Sequence, residues 1–190
     1  MRHAISSARP KGSRGARSIN RAVVAALPQL ATMTPPLRIV HQTGPDEHEA
    51  VARAYAEHPG LPADVRPFLD DMPRRLADAD LVICRAGATT LAELAAAGRP
   101  AILVPFPFAA DDHQRANAEV VRDAGAAVVI EDQDLDGPRC AAEIAALAND
   151  RGRRRRMAEA SRTLARLDAT ARIADVAEAL LERKAVPHVP

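Results

Sequence analysis

Five short apolar runs set the rhythm of this chain, each closed by a turn and followed by a helical pattern. Leu37–Gln42 predicts a strand ending in the turn Thr43-Gly44-Pro45. Asp46–Glu57 then predicts a helix, with Asp46 placed to cap it and Glu47 and Glu49 in its first turn. Val65–Leu69 is a short strand-like segment, followed by a short helix over Met72–Ala77. Asp80–Arg85 predicts a strand, its stretch Leu81 to Cys84 apolar enough to be buried. The helix after it opens at Thr90, carries Leu91, Leu94 and Ala95 on one face, and stops at Gly98 and Pro100. Ala101–Val104 is a strand ended by Pro105 and Pro107, Gln114–Ala124 a helix stopped by Gly125, and Ala126–Ile130 another strand. From Pro138 the pattern is helical to about Arg183, with breaks near 149–152 and at Asp168, and a short helical run over Asn20–Leu27 precedes the first strand. Continuous apolar strands alternating with helices predict an α/β fold with a parallel sheet covered on both faces. Ligands of such sheets bind at the carboxyl ends of the strands. Three candidate loops fall there: Leu69-Asp70-Asp71, Ala86–Thr90 and Pro105–Gln114.

Composition narrows the picture. With 190 residues, 47% of them hydrophobic but only 2% aromatic and no Trp, the core is built from Ala, Val, Leu and Ile. A formal net charge of +1 calls for no nucleic-acid partner. Cys84 and Cys140 have neither the spacing of a metal site nor the number of a disulfide framework, and fit a reducing, cytoplasmic compartment. No apolar run is long enough to span a bilayer, and the basic stretch Met1–Asn20 lacks the apolar middle of a secretory signal.

The candidate chemistry concentrates after the strand Asp80–Arg85. Strand, small-residue turn (Ala86-Gly87-Ala88) and helix start together make an anion site, because the first-turn N–H groups are unpaired and the helix dipole favours negative charge there. Gly87-Ala88-Thr89-Thr90 therefore reads as a diphosphate cradle. It reads equally as a helix start in which Thr90 and Glu93 form a capping box, and the two readings are compatible. Asp111-Asp112-His113-Gln114 offers a Gln and a His to sugar hydroxyls, or a plain N-cap at either Asp. Gly12-Ser13-Arg14-Gly15 is a glycine turn ahead of a helix, and Arg151–Arg156 is a basic cluster on a solvated helix face. No spacing of acids, His and Cys suggests a metal.

Three ordered motifs carry a family resemblance: Phe68-Leu-Asp-Asp-Met72, Ala79-Asp-Leu-Val-Ile-Cys-Arg-Ala-Gly-Ala-Thr-Thr-Leu-Ala-Glu93, and Val104-Pro-Phe-Pro with Asp112-His-Gln-x-x-Asn-Ala118. From about Gly12 to the C-terminal helices the chain resembles the donor-binding half of MurG-type glycosyltransferases. These move N-acetylglucosamine from UDP-GlcNAc to undecaprenyl-pyrophosphoryl-MurNAc-pentapeptide, making the lipid II of peptidoglycan. The resemblance implies a Rossmann-like C-terminal half of a GT-B enzyme, metal-independent and without a cofactor. Leu69 would meet the uracil through its backbone, between Phe68 and Met72. Ala88, Thr89 and Thr90 would cradle the diphosphate, with Leu91 and Ala92 leading to Glu93 on the ribose. Gln114, with His113 beside it, would read the GlcNAc hydroxyls, and Ser13 would reach the phosphates.

The resemblance also implies what lies elsewhere. The general base and the site for the lipid acceptor belong to an N-terminal half, lost or supplied in trans, so this chain by itself is expected to bind donor and transfer nothing. It would work in the cytoplasm, peripheral on the inner face of the cell membrane. The domain is expected over residues 12–184, with 185–190 as a tail. His3–Lys11 lacks a strand pattern, so residues 1–11 are expected to be disordered or a truncation remnant, with the strand before Gly12 missing. Another UDP-sugar transferase of the same fold, and a non-catalytic nucleotide-sugar-binding module, are the alternatives.

Overall fold

The computed structural model describes residues 3–7, 13–109 and 112–184, with side chains over 17–109 and 112–181. Six strands form one sheet: β1 (His3–Ser7), β2 (Arg38–Gln42), β3 (Ala63–Arg66), β4 (Leu81–Cys84), β5 (Ala101–Leu103) and β6 (Ala127–Val129). Their order is β3-β2-β1-β4-β5-β6, and every pairing is parallel. The helices are α1 (Ser13–Leu30), α2 (His48–Ala56), α3 (Met72–Asp78), α4 (Ala88–Ala97), α5 (His113–Asp123), α6 (Gly137–Asn149), α7 (Arg151–Thr163) and α8 (Ala169–Lys184), with a 3-10 turn at Asp132–Asp134.

Alternation along the strands divides the core in two, because successive side chains point to opposite faces. Ile39, Leu81, Ile83 and Ile102 pack with Ile19, Leu27 and Leu30 of α1, Tyr55 of α2 and Ile144 and Leu147 of α6. Val40, Val82, Cys84 and Leu103 pack with Leu76 of α3, Leu94 of α4 and Ala118 of α5. Burial on both sides is why β4 and β5 read as unbroken apolar runs. Gly137 lets α6 close on α1, since a β-carbon there would lie 2.7 Å from Ala25 Cβ.

For His3–Ser7, read from the sequence as lacking a strand pattern, the structure gives a correction in β1. His3–Ser7 is a strand in the middle of the sheet, with Ile5 in register with Val40 on one side and Val82 on the other. Two parallel neighbours supply the hydrogen bonds that fix it, so a segment with little apolar signal of its own becomes the central strand. The supposed Gly12–Gly15 turn is corrected as well: Ser13–Gly15 already belong to α1. Residues 1–2, 8–12 and the tail 185–190 lie outside the described residues.

The strand order reverses between β1 and β4, and at that point an open parallel sheet offers a crevice at its carboxyl edge. The helices that follow these two strands, α1 and α4, both begin at this edge. Among the described residues no helix is long and apolar enough to cross a membrane.

Candidate functional site

β4 ends at Cys84, and the chain turns through Arg85, buried Ala86 and Gly87 into α4. Gly87 is the N-cap, without a side-chain cap hydrogen bond, and Leu91 N–H donates to its carbonyl at 3.0 Å. The N–H groups of Ala88, Thr89 and Thr90 therefore have no helical carbonyl one turn earlier. Gly87 has φ −70°, and a β-carbon on it would meet nothing within 4 Å, so neither backbone strain nor packing demands a glycine. Ala88 and Thr89, the first two residues of the helix, are exposed.

The capping-box reading of Thr90 and Glu93 is overturned by this geometry. α4 starts two residues earlier than its sequence pattern suggests, and Thr90 is the third helical residue, not the cap. Glu93 lies a turn further in. Burial pushes the Cys84 thiol up to about 12, and the Glu93 charge adds to the rise.

On the far side of β1, Leu69 is buried and its backbone N–H donates to Gln42 Oε1 at 2.9 Å. Phe68 beside it is 57% exposed, and Met72, the first residue of α3, packs partly against the second core cluster. Thr43 and Gly44 N–H groups bind the Arg66 and Pro67 carbonyls, which fastens this loop to the end of β2.

At the third loop, α5 opens with His113 and Gln114. Asp112 occupies the N-cap position in a left-handed conformation, φ 52°, and makes no side-chain cap bond. That conformation is costly for a non-glycine residue. The other candidate cap, Asp111, lies outside the described residues. Gln114 Oε1 accepts the Phe106 N–H at 3.1 Å, which orients the side-chain amide. Asn117 Nδ2 donates to the Ala86 carbonyl at 3.2 Å, clipping α5 to the turn before α4.

Two polar arrangements escaped the sequence reading. Arg85 Nη1 donates to the carbonyls of Val104 and Pro105 and meets Asp132 Oδ1 at 2.6 Å; Nη2 donates to Ser18 Oγ at 2.7 Å. Its guanidinium also lies 5.3 Å from the Phe106 ring centre. The second arrangement is buried at the end of β2. His41 Nε2 bonds Asn20 Oδ1 at 2.9 Å and Nδ1 bonds the Tyr55 hydroxyl at 3.1 Å. Asn20 Nδ2 donates to Thr43 O and Glu47 Oε2, so its Oδ1 accepts and His41 carries its proton on Nε2. Burial lowers the His41 pKa to about 4 and keeps the ring neutral. The only advance signal for either arrangement was a polar residue at the end of an apolar run.

Hydrogen bonds thus join the α4 turn, the 104–106 loop, Gln114 and α1, while Leu69 hangs on Gln42. Ser13 begins α1 at the same edge; its side chain lies outside the described residues. Among the described residues no group of three or more His, Cys, Asp or Glu could hold a metal ion.

Comparison with known proteins places this architecture. The sequence model of the glycosyltransferase family 28 C-terminal domain matches residues 11–179. The chain belongs to this family. A UDP-N-acetylglucosamine–N-acetylmuramyl-(pentapeptide) pyrophosphoryl-undecaprenol N-acetylglucosamine transferase of Anaeromyxobacter sp. (strain Fw109-5) is 48% identical over 189 residues, 97% of this chain and 49% of that protein. One of the same name from Geobacter sulfurreducens is 48% identical over 164 residues, 86% of this chain and 45% of its own length. The crystal structure of Acinetobacter baumannii MurG superposes with a TM-score of 0.81 at 36% identity, covering 92% of this chain and 51% of that one. This family 28 domain therefore spans about half the length of the relatives it matches, and its fold is that of the C-terminal domain of a GT-B glycosyltransferase.

Proposed function

We propose that this domain, expected over 12–184 and extended back to His3 by β1, is the UDP-GlcNAc-binding half of an inverting N-acetylglucosaminyltransferase. The full reaction makes lipid II from lipid I at the inner face of the cell membrane. One observation carries the reading: the first turn of α4 stands open at the point where strand order reverses, with Glu93 a turn behind it. The names of the relatives supply donor and acceptor.

In this reading Ala88, Thr89 and Thr90 hold the diphosphate with backbone N–H groups and two hydroxyls, and Leu91 and Ala92 lead to Glu93, which accepts from the ribose hydroxyls. The Leu69 carbonyl accepts the N3–H of uracil, and Phe68 and Met72 flank the base. Gln114 donates to GlcNAc hydroxyls beside His113, and Ser13 adds a contact to the phosphates. The acceptor hydroxyl attacks the anomeric carbon, the bond from that carbon to the diphosphate oxygen breaks, and UDP departs with the electron pair. The hydroxyl proton passes to a base in the other half of the enzyme. This half lowers the barrier by stabilising charge on the departing diphosphate with fixed N–H dipoles, work that needs no metal.

Calorimetric titration of the purified chain with UDP-GlcNAc, UDP-glucose and ADP tests the reading. Selective binding of UDP-GlcNAc is the expected result. A folded chain that binds none of the three, or binds ADP as tightly, overturns it.

A further inference from the structure

We infer that Arg85 is a positioning residue that sets the sugar end of the donor site without touching the donor. The inference rests on the reading of this edge as a UDP-GlcNAc site. Arg85 follows β4 directly and reaches sideways along the carboxyl edge of the sheet. Its guanidinium grips the loop after β5 by two adjacent carbonyls, at 3.2 Å to Val104 and 3.1 Å to Pro105, and faces the Phe106 ring. The next backbone group in that loop, the Phe106 N–H, is the one that holds Gln114 Oε1 at 3.1 Å. A single side chain thereby fixes which way the Gln114 amide points.

The other edge of the guanidinium holds α1. Nη2 donates to Ser18 Oγ at 2.7 Å, and Ser18 Oγ in turn donates to Asp132 Oδ1 at 2.6 Å. Ser18 lies in the second turn of α1, so the bond aligns the helix whose first residue is Ser13. The Asp132 carboxylate, 2.6 Å from Nη1, compensates the positive charge. That pairing separates Arg85 from a phosphate-binding arginine, whose charge would be turned to the ligand. Only a planar fork with several N–H groups joins two carbonyls, a hydroxyl and a carboxylate at once; an ammonium does not. The uracil wall depends instead on Gln42, across β1.

The consequence is a graded loss along the donor. In Arg85→Met, which keeps the apolar stem, UDP affinity should fall a few-fold through α1, whereas UDP-GlcNAc affinity should fall by about a further tenfold, the scale of one lost hydrogen bond to a hydroxyl. Arg85→Lys should restore little of the preference for UDP-GlcNAc over UDP. Titrations of the wild-type chain and both variants with UDP and UDP-GlcNAc read this directly. Asp132→Asn carries the same test if Arg85→Met does not fold, and should shift the preference in the same direction. Equal losses for UDP and UDP-GlcNAc, or a preference fully kept by Arg85→Lys, overturn the positioning role while leaving the donor-site reading intact. A wild-type chain that binds neither ligand overturns that reading and this inference with it.

Discussion

Gln42 Oε1 accepts the backbone N–H of Leu69 at 2.9 Å, and both residues are buried. A side chain at the end of β2 thus shapes the loop after β3. Gln42→Leu keeps the volume but leaves the Leu69 N–H without this partner in a dry place. It should cost about 1–3 kcal/mol of stability and weaken UDP binding as the loop relaxes. Urea unfolding and calorimetry check the two effects, and unchanged affinity would show that the loop shape is not set by Gln42.

Glu93 and Thr90 can be separated by substitution. Because Gly87 holds the N-cap position and Thr90 is the third residue of α4, Thr90→Ala should change stability by less than about 0.5 kcal/mol, the range of surface changes away from a cap. Glu93→Gln should leave the melting temperature nearly unchanged and weaken UDP binding by about 1–3 kcal/mol, the scale of a hydrogen bond to a charged group. A marked loss of stability in Thr90→Ala would restore the capping box.

His41 makes folding sensitive to acid. Its pKa falls from 6.5 in the unfolded chain to about 4 when buried, so below pH 6.5 the unfolded state takes up the proton first. The stability tied to the neutral ring is whole above pH 6.5 and is lost as the pH falls toward 4, by about 3 kcal/mol in all. Urea midpoints between pH 5 and 7.5 should fall more steeply with acid for the wild type than for His41→Gln. Parallel slopes would remove His41 from the account.

The central position of β1 gives a fourth expectation. Ile5→Pro deletes a ladder N–H and fixes the backbone in a strand paired on both sides. The sheet should then fail to assemble as one unit, and thermal unfolding followed by circular dichroism should lose its cooperative step. A variant with a sharp, near-native transition would mean that β1 contributes little.

How much of this was legible beforehand follows from where each cause lies. β4 and β5 could be read directly, because burial on both faces writes itself into Leu81–Cys84 and Ala101–Leu103 as unbroken apolar runs. β1 could not, because His3-Ala-Ile-Ser-Ser7 owes its conformation to partners in β2 and β4 far along the chain. The three candidate loops follow β3, β4 and β5, so the alternation of strands and helices by itself puts them at the carboxyl edge of the sheet. The start of α4 was misplaced because the usual rule looks for a hydroxyl cap, and the helix begins behind a glycine instead. Gln42 and Arg85 were passed over for a different reason. Their partners lie 27 and about 20 residues away, and no local pattern marks a contact of that span.

Gly87 has a consequence for how this domain trades robustness against work. A Ser there would fit the backbone, its β-carbon meeting nothing within 4 Å, and would return roughly a few tenths of a kcal/mol by closing the end of α4. The glycine forgoes that gain. Under the proposed function the missing cap is supplied by the donor's diphosphate, so the nucleotide completes the helix and leaves it incomplete again when UDP departs. Gly87→Ser should accordingly yield a slightly sturdier protein and a poorer binder of the nucleotide.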